Sequence, residues 1–212
     1  MTCKEKPFRG DDGSKHMTIL SERYSDKRWL RMKKKPKASN PKITIRSVDL
    51  FAGIGGIAVG TMEACRRLNF GHKCELANEW DKSVLSVFED NIQPQVAICG
   101  DVGSIFNGGL FAKNINALSN KKLTVLERNL LSAHPKIIEP DLLTGGPPCQ
   151  GHSDLNNHSR RDDPRNALYY RMVRAAKVLN PKAIIIENVS TVIHSKGKVV
   201  DHSVAILEKM GY

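Results

Sequence analysis

Ser47-Val48-Asp49-Leu50-Phe51-Ala52-Gly53-Ile54-Gly55-Gly56 is the stretch that decides the fold. A strand-forming run ends in a glycine-rich turn, and apolar residues at helical spacing follow. Glycines at such a turn let the backbone bend tightly and approach a ligand at the helix N-terminus. The alternation of short apolar runs with helical patterns continues along the chain, which argues for a parallel α/β sheet. It predicts strands near 43–51, 73–78, 95–99, 141–144 and 183–187. Helices are expected near 55–69, 82–91, 122–133, 166–179 and 199–210, with Lys177 and Asn180-Pro181 stopping the fourth.

Chemistry-bearing residues sit where these strands end. Glu79-Trp80 closes the second strand and Gly100-Asp101-Val102 the third. The run Ala183-Ile184-Ile185-Ile186 ends in Glu187-Asn188-Val189. After Leu142-Leu143 comes Gly145-Gly146-Pro147-Pro148-Cys149-Gln150, which sets a thiol on a stretch stiffened by two prolines. Such a turn holds its neighbour in place, as a nucleophile requires, although a buried structural cysteine reads equally well from the turn alone. Gly53-x-Gly55-x-x-Ala58, with Glu79 about twenty residues on, also satisfies the dinucleotide fingerprint. Asp49, four residues before Gly53, is expected to oppose a pyrophosphate and to suit a cationic ligand such as S-adenosylmethionine.

Asp49-Leu50-Phe51-Ala52-Gly53-x-Gly55-Gly56, Pro147-Pro148-Cys149-Gln150 and Glu187-Asn188-Val189, in that order, resemble the C5-cytosine DNA methyltransferases over residues 43–212. The resemblance implies an S-adenosylmethionine-dependent, Rossmann-like, doubly wound and mostly parallel sheet. It implies that Gly53, Gly55 and Gly56 cradle the methionine part of the cofactor and that Phe51 packs near the adenine. Glu79 would accept from both ribose hydroxyls, Trp80 would stack on the adenine, Asp101 would accept from its amino group and Leu168 would cover the cofactor. Core packing is the plain alternative for Trp80 and Leu168, and helix capping for Glu79 and Asp101. Cys149 would add to carbon 6 of cytosine. Glu187, ending an apolar strand expected to be buried, would be kept protonated by that burial and donate at nitrogen 3, and Asn188 would orient the loop after it. The substrate implied is double-stranded DNA, with the target base flipped out. An RNA cytosine-C5 methyltransferase would use the same chemistry.

The chain also departs from the family. His152 stands where the family has Phe, and the loop 103–136 is longer than a usual strand-to-helix connection. The polar loop Gly151–Arg165 reads as a lid. The chain stops at Met210-Gly211-Tyr212, without the family's Gln-x-Arg-x-Arg motif, recognition domain or last cofactor-pocket motif. The expectation is a sheet cut off after its fifth strand and completed by a second polypeptide, with an inactive fragment as the alternative.

Composition bounds the rest. The 212 residues, 40% hydrophobic, suffice for one good core. No apolar stretch approaches 18 residues, so no membrane span is expected, and the polar N-terminus has no signal-peptide core. The five cysteines (Cys3, Cys65, Cys74, Cys99, Cys149) include no C-x-x-C pair, which argues against zinc and for a reducing cytoplasm. Cys65, Cys74 and Cys99 read as small core residues. Of the net charge of +11, residues 1–46 hold +9, from fourteen Lys and Arg against five Asp and Glu. Residues 1–42 therefore read as a basic, disordered extension, either merely solvated or gripping phosphates non-specifically.

Overall fold

Strand β1 (Thr44–Leu50) is the middle of a five-stranded, wholly parallel sheet of order β3-β2-β1-β4-β5. The computed structural model describes residues 38–109, 123–148, 167–189 and 199–212, all within one unit spanning Ala38–Tyr212. The other strands are β2 (Gly71–Glu79), β3 (Ala97–Cys99), β4 (Leu142–Gly145) and β5 (Ala183–Ile186). The helices are α1 (Gly56–Arg67), α2 (Lys82–Ile92), the single turn α3 (Val102–Ile105), α4 (Val125–Ala133), α5 (Ala167–Leu179) and α6 (Val199–Lys209). Each predicted strand and helix has its counterpart here. The basic tail through Lys37 and the Gly151–Arg165 loop lie outside the described residues, as do positions 110–122 of the long loop.

Side chains alternate across a strand, so each strand feeds two layers. Val48 and Leu50 point to one face with Leu76 and Leu143, against Met172, Ala175, Ala176 and Leu179 of α5 and Val102, Ile105 and Phe106 around α3. On the other face Cys74 and Ala77 pack with Ala58 of α1 and Leu85 and Phe88 of α2. β5 is different. Its residues alternate between exposed and half-buried, and Ile185 is 46% exposed, because β5 is the edge strand among the described residues. Cys65 and Cys74 are buried as expected, but Cys99 is exposed, since β3 is the opposite edge.

The helix ends follow their local chemistry. Asp81 caps α2 by accepting from the N–H groups of Ser83 (2.7 Å) and Val84 (3.1 Å). Thr124 and Glu127 form a reciprocal capping box on α4. Arg66 and Arg67, in the last turn of α1, both bind Glu63, at 2.6 and 2.8 Å.

Gly145, in β4, sits where no side chain fits. A Cβ there would lie 2.5 Å from Met172 Sδ and 2.8 Å from the Leu50 carbonyl oxygen. Gly145→Ala must therefore displace the Met172 side chain and the β1 backbone at Leu50. It should cost about 1–3 kcal/mol of stability, the usual range for overpacking. Urea unfolding checks this; an unchanged midpoint would show that the contact relaxes freely.

Candidate active site

The carboxyl ends of β1, β2, β3 and β4 converge on a cavity of about 740 Å³. Strand order reverses between β1 and β4, and ligands of open parallel sheets bind at such switch points. Phe51 and Gly53 line it from the β1–α1 turn, Asn78, Glu79 and Trp80 from the end of β2, and Gly100, Asp101 and Val102 from the end of β3. Gly146 and Pro148 after β4 and Leu168 in the first turn of α5 complete it. Six of the expected cofactor residues are thus brought together: Phe51, Gly53, Glu79, Trp80, Asp101 and Leu168.

The turn after β1 is conformationally demanding. Phe51, Gly53 and Gly55 have φ of 51°, 55° and 96°, and the left-handed value at a phenylalanine is a strain worth about 1–3 kcal/mol. Gly55 caps α1 and faces inward, where a Cβ would stand 3.2 Å from Phe88. Gly56 opens α1 and is exposed; neither it nor Gly55 lines the cavity. Glu79 ties the turn to β2: its Oε2 accepts from the Gly53 N–H (2.9 Å) and its Oε1 from those of Trp80 (2.8 Å) and Asp81 (3.2 Å). A carboxylate offers about four acceptor positions, so Glu79 keeps capacity for a ligand. Asp101 caps α3 through the Gly103 N–H (2.8 Å) and also lines the cavity, so capping and ligand contact are compatible. Trp80 is 72% exposed at the cavity, which makes it a surface for a planar ligand rather than a core residue.

Asp49 does not line the cavity. It is buried, with Oδ1 accepting from Thr144 Oγ1 (2.5 Å) and Oδ2 from Ser47 Oγ (2.7 Å) and Cys74 Sγ (3.3 Å). Register explains this: Asp49 pairs with Thr144 on β4, and Ser47 is two residues away on the same face. Burial, with Asp49 beside it, pushes the Cys74 thiol up. The argument against a pyrophosphate passes instead to Glu79 and Asp101, two carboxylates in a lining that contains no Lys or Arg among the described residues.

Sequence reasoning missed Asn78. It is buried, and its Nδ2 donates to the carbonyls of Ile98 (2.9 Å) and Gly100 (3.0 Å), holding the end of β3 against β2. Only its place at a strand's carboxyl end signalled a role.

Cys149 and Gln150 lie just outside the described residues, but the segment leading to them is well held. Asn188 Nδ2 donates to the Pro147 carbonyl (2.9 Å), while its Oδ1 accepts from the Val189 N–H (2.8 Å). Asn188 therefore braces the stretch before Cys149 as well as the loop after itself. The Glu187 N–H donates to the Gly145 carbonyl (2.9 Å), and a Cβ on Gly146 would lie 3.3 Å from Glu187 Oε2. Glu187 is exposed, so the burial expected to favour its protonated form is not supplied by the described residues. The cause is again the edge position of β5.

A profile of C-5 cytosine-specific DNA methylases matches residues 45–212. The chain belongs to this family. Type II methyltransferase M1.BsuMI of Bacillus subtilis (strain 168) is 40% identical over 177 residues, covering 84% of this chain and 38% of that protein. A DNA-cytosine methyltransferase of Escherichia coli (strain K12) is 29% identical over 188 residues, covering 84% of this chain and 37% of its own length. The chain thus spans well under half of these relatives. A solved structure described as a prophage-encoded DNA modification methyltransferase from E. coli shares the fold, with a TM-score of 0.55 and 23% identity over 78% of this methylase chain and 38% of that one.

The buried Asp49 network has a pH consequence. His72 Nε2 lies 3.0 Å from Ser47 Oγ, and burial holds its pKa below the ordinary value of 6.5, with Asp49 opposing. The unfolded chain therefore takes up a proton near pH 6.5 that the folded methylase domain resists. This contribution is intact above that pH and is lost as pH falls towards the depressed folded value. Thermal unfolding should show a midpoint that drops between about pH 7.5 and 5.5. His72→Gln should flatten that slope; an equal slope in the variant would remove His72 as its source.

Proposed function

We propose that this chain supplies the cofactor site and the nucleophile for transfer of a methyl group from S-adenosylmethionine to carbon 5 of cytosine in duplex DNA. The observation that supports this most strongly is the cavity gathering Glu79, Trp80, Asp101 and Leu168 beside the braced segment that leads to Cys149. The lining suits the cofactor: an exposed indole for a purine, a strand-end carboxylate for ribose hydroxyls, a second carboxylate for an amino group and, among the described residues, no cation for a phosphate. When bound, the cofactor supplies an electrophilic methyl group.

The protein's own residues must make cytosine reactive. Carbon 5 is a poor nucleophile until the Cys149 thiolate forms a bond to carbon 6, which pushes the ring electrons towards nitrogen 3 and carbon 5. Glu187, once it carries a proton against the bound base, donates a hydrogen bond at nitrogen 3 and offsets the charge that develops there. Carbon 5 can then take the methyl group. Loss of the carbon 5 proton to water expels Cys149 and restores the ring. Asn188 positions both groups, because it reaches back to Pro147, two residues before Cys149, and directly follows Glu187. The target carbon lies inside the base stack, so the cytosine must leave the duplex.

We further infer that a second polypeptide carrying base recognition packs against β5. Ile185 and Val189, 46% and 43% exposed along β5 and its exit, support an interface there.

A duplex carrying 5-fluorocytosine cannot lose the carbon 5 substituent and should trap the enzyme. With a complementary chain present, peptide mapping should place the adduct on Cys149, and Cys149→Ala should abolish it while cofactor binding persists. An adduct on Cys65, Cys74 or Cys99 would refute the assignment. Equal trapping by this chain alone would refute the second polypeptide. Separately, Glu79→Ala should weaken S-adenosylhomocysteine binding by about 2–3 kcal/mol, the worth of hydrogen bonds to a charged acceptor. An unchanged dissociation constant by calorimetry would move the cofactor elsewhere.

A further inference from the structure

Behind the β3 side of the cavity lies an ion pair that the chemistry does not use. Arg174 on α5 and Glu127 on α4 are 3% and 0% exposed. Arg174 Nε donates to Glu127 Oε1 (2.7 Å) and Nη2 donates to Oε2. Glu127 also accepts from the N–H groups of Gly108 (3.0 Å) and Thr124 (2.9 Å). Gly108 must be glycine here, because a Cβ would overlap the Arg174 guanidinium at 2.1 Å. One turn earlier on the same helix, Arg171 Nη1 donates to the Phe106 carbonyl (3.0 Å), and the Phe106 N–H donates to the Val102 carbonyl (2.9 Å). The stretch 102–108 is thus fastened to α5 directly through Arg171 and indirectly through Glu127, which bridges Gly108 to Arg174. Leu168, in the first turn of that helix, and Asp101 with Val102, at the head of the fastened stretch, line the same cavity.

We infer that the Arg174–Glu127 pair is a positioning device which fixes the separation between Leu168 and the Asp101–Val102 wall, and so sets the discrimination of the site for an adenine-like ring. This rests on the cofactor reading above. A buried ion pair is a poor means of gaining stability, since an apolar pair of similar size often does as well, but its forked geometry fixes direction. The direction matters because Asp101 must present its carboxylate to a ring amino group from a one-turn helix with little rigidity of its own.

The test compares wild type with Arg174→Met/Glu127→Leu, which fills the place of the ion pair with apolar side chains, and with Glu127→Gln in case the double variant does not fold. Calorimetry measures S-adenosylhomocysteine and its deaminated analogue S-inosylhomocysteine, which lacks the amino group. Wild type should prefer the adenine compound by at least about tenfold, the worth of one good hydrogen bond. In the variants that ratio should fall towards one, and amide exchange at 102–106 in the ligand-free chain should rise while β1 stays protected. A purely structural pair would leave the ratio intact, and that result, or unchanged exchange at 102–106, overturns the proposal. If wild type binds neither compound, the cofactor reading fails, while the exchange comparison still decides whether the pair holds the wall.

Discussion

The structure depends on how the chain leaves β1. That strand is buried along its carboxyl half and paired on both sides, so the chain can exit only at the carboxyl edge and must turn back at once to lay α1 on the sheet. Five residues separate Leu50 from Gly56, and three of them adopt positive φ. Gly55 fits its helix cap against Phe88 only without a side chain. Gly53 gives its N–H to Glu79, and the Ala52 N–H donates to the Asn78 carbonyl (3.0 Å), so the turn is bonded to the end of β2. The floor of the cavity is therefore a consequence of closing the first strand–helix unit. Glu79 serves two ends at once, stabilising the turn and facing the ligand space.

Much of this was legible because apolar periodicity and strand-end residues are local properties. Ile184 to Ile186 read as a strand, and Lys177 with Asn180-Pro181 as a helix limit, without knowledge of neighbours. What failed were properties that belong to the assembled sheet. Asp49 was read as facing a ligand because it is close in sequence to the glycine turn, but its face is set by register with Thr144. Glu187 was read as ending a buried strand because three isoleucines precede it. Burial depends on what covers a strand, and β5 is an edge among the described residues. Arg174 and Glu127 are 47 residues apart, and no spacing rule joins them.

Charge is divided along the methylase chain in a way that fits separate tasks. The excess of positive charge lies in residues 1–46, whereas the cavity lining carries Glu79 and Asp101 without a cation among the described residues. Phosphate attraction is a long-range, non-specific effect that positive charge supplies without fixed geometry. A cationic cofactor with hydroxyl and amino donors needs acceptors at fixed positions, which strand ends provide. Burying Asp49 among hydroxyl donors also keeps one more acidic group from crowding the cavity.

The remaining constraint is on the segment between β4 and Cys149, the proposed nucleophile. The covalent step proposed there is sensitive to small displacements, so the atoms before Cys149 need to be held more tightly than an ordinary loop allows. Three contacts do this. Gly145 is wedged between Met172 and Leu50, its carbonyl accepts from Glu187, and the Pro147 carbonyl accepts from Asn188. Two prolines remove backbone freedom in the same stretch. Glu187 and Asn188 are also the residues proposed to act at the ring nitrogen and to orient the loop, so both of these contacts to the segment after β4 come from one pair of adjacent residues. A shift of β5 would move both partners together, so a strand that is an edge among the described residues can still keep its hold on the segment before Cys149.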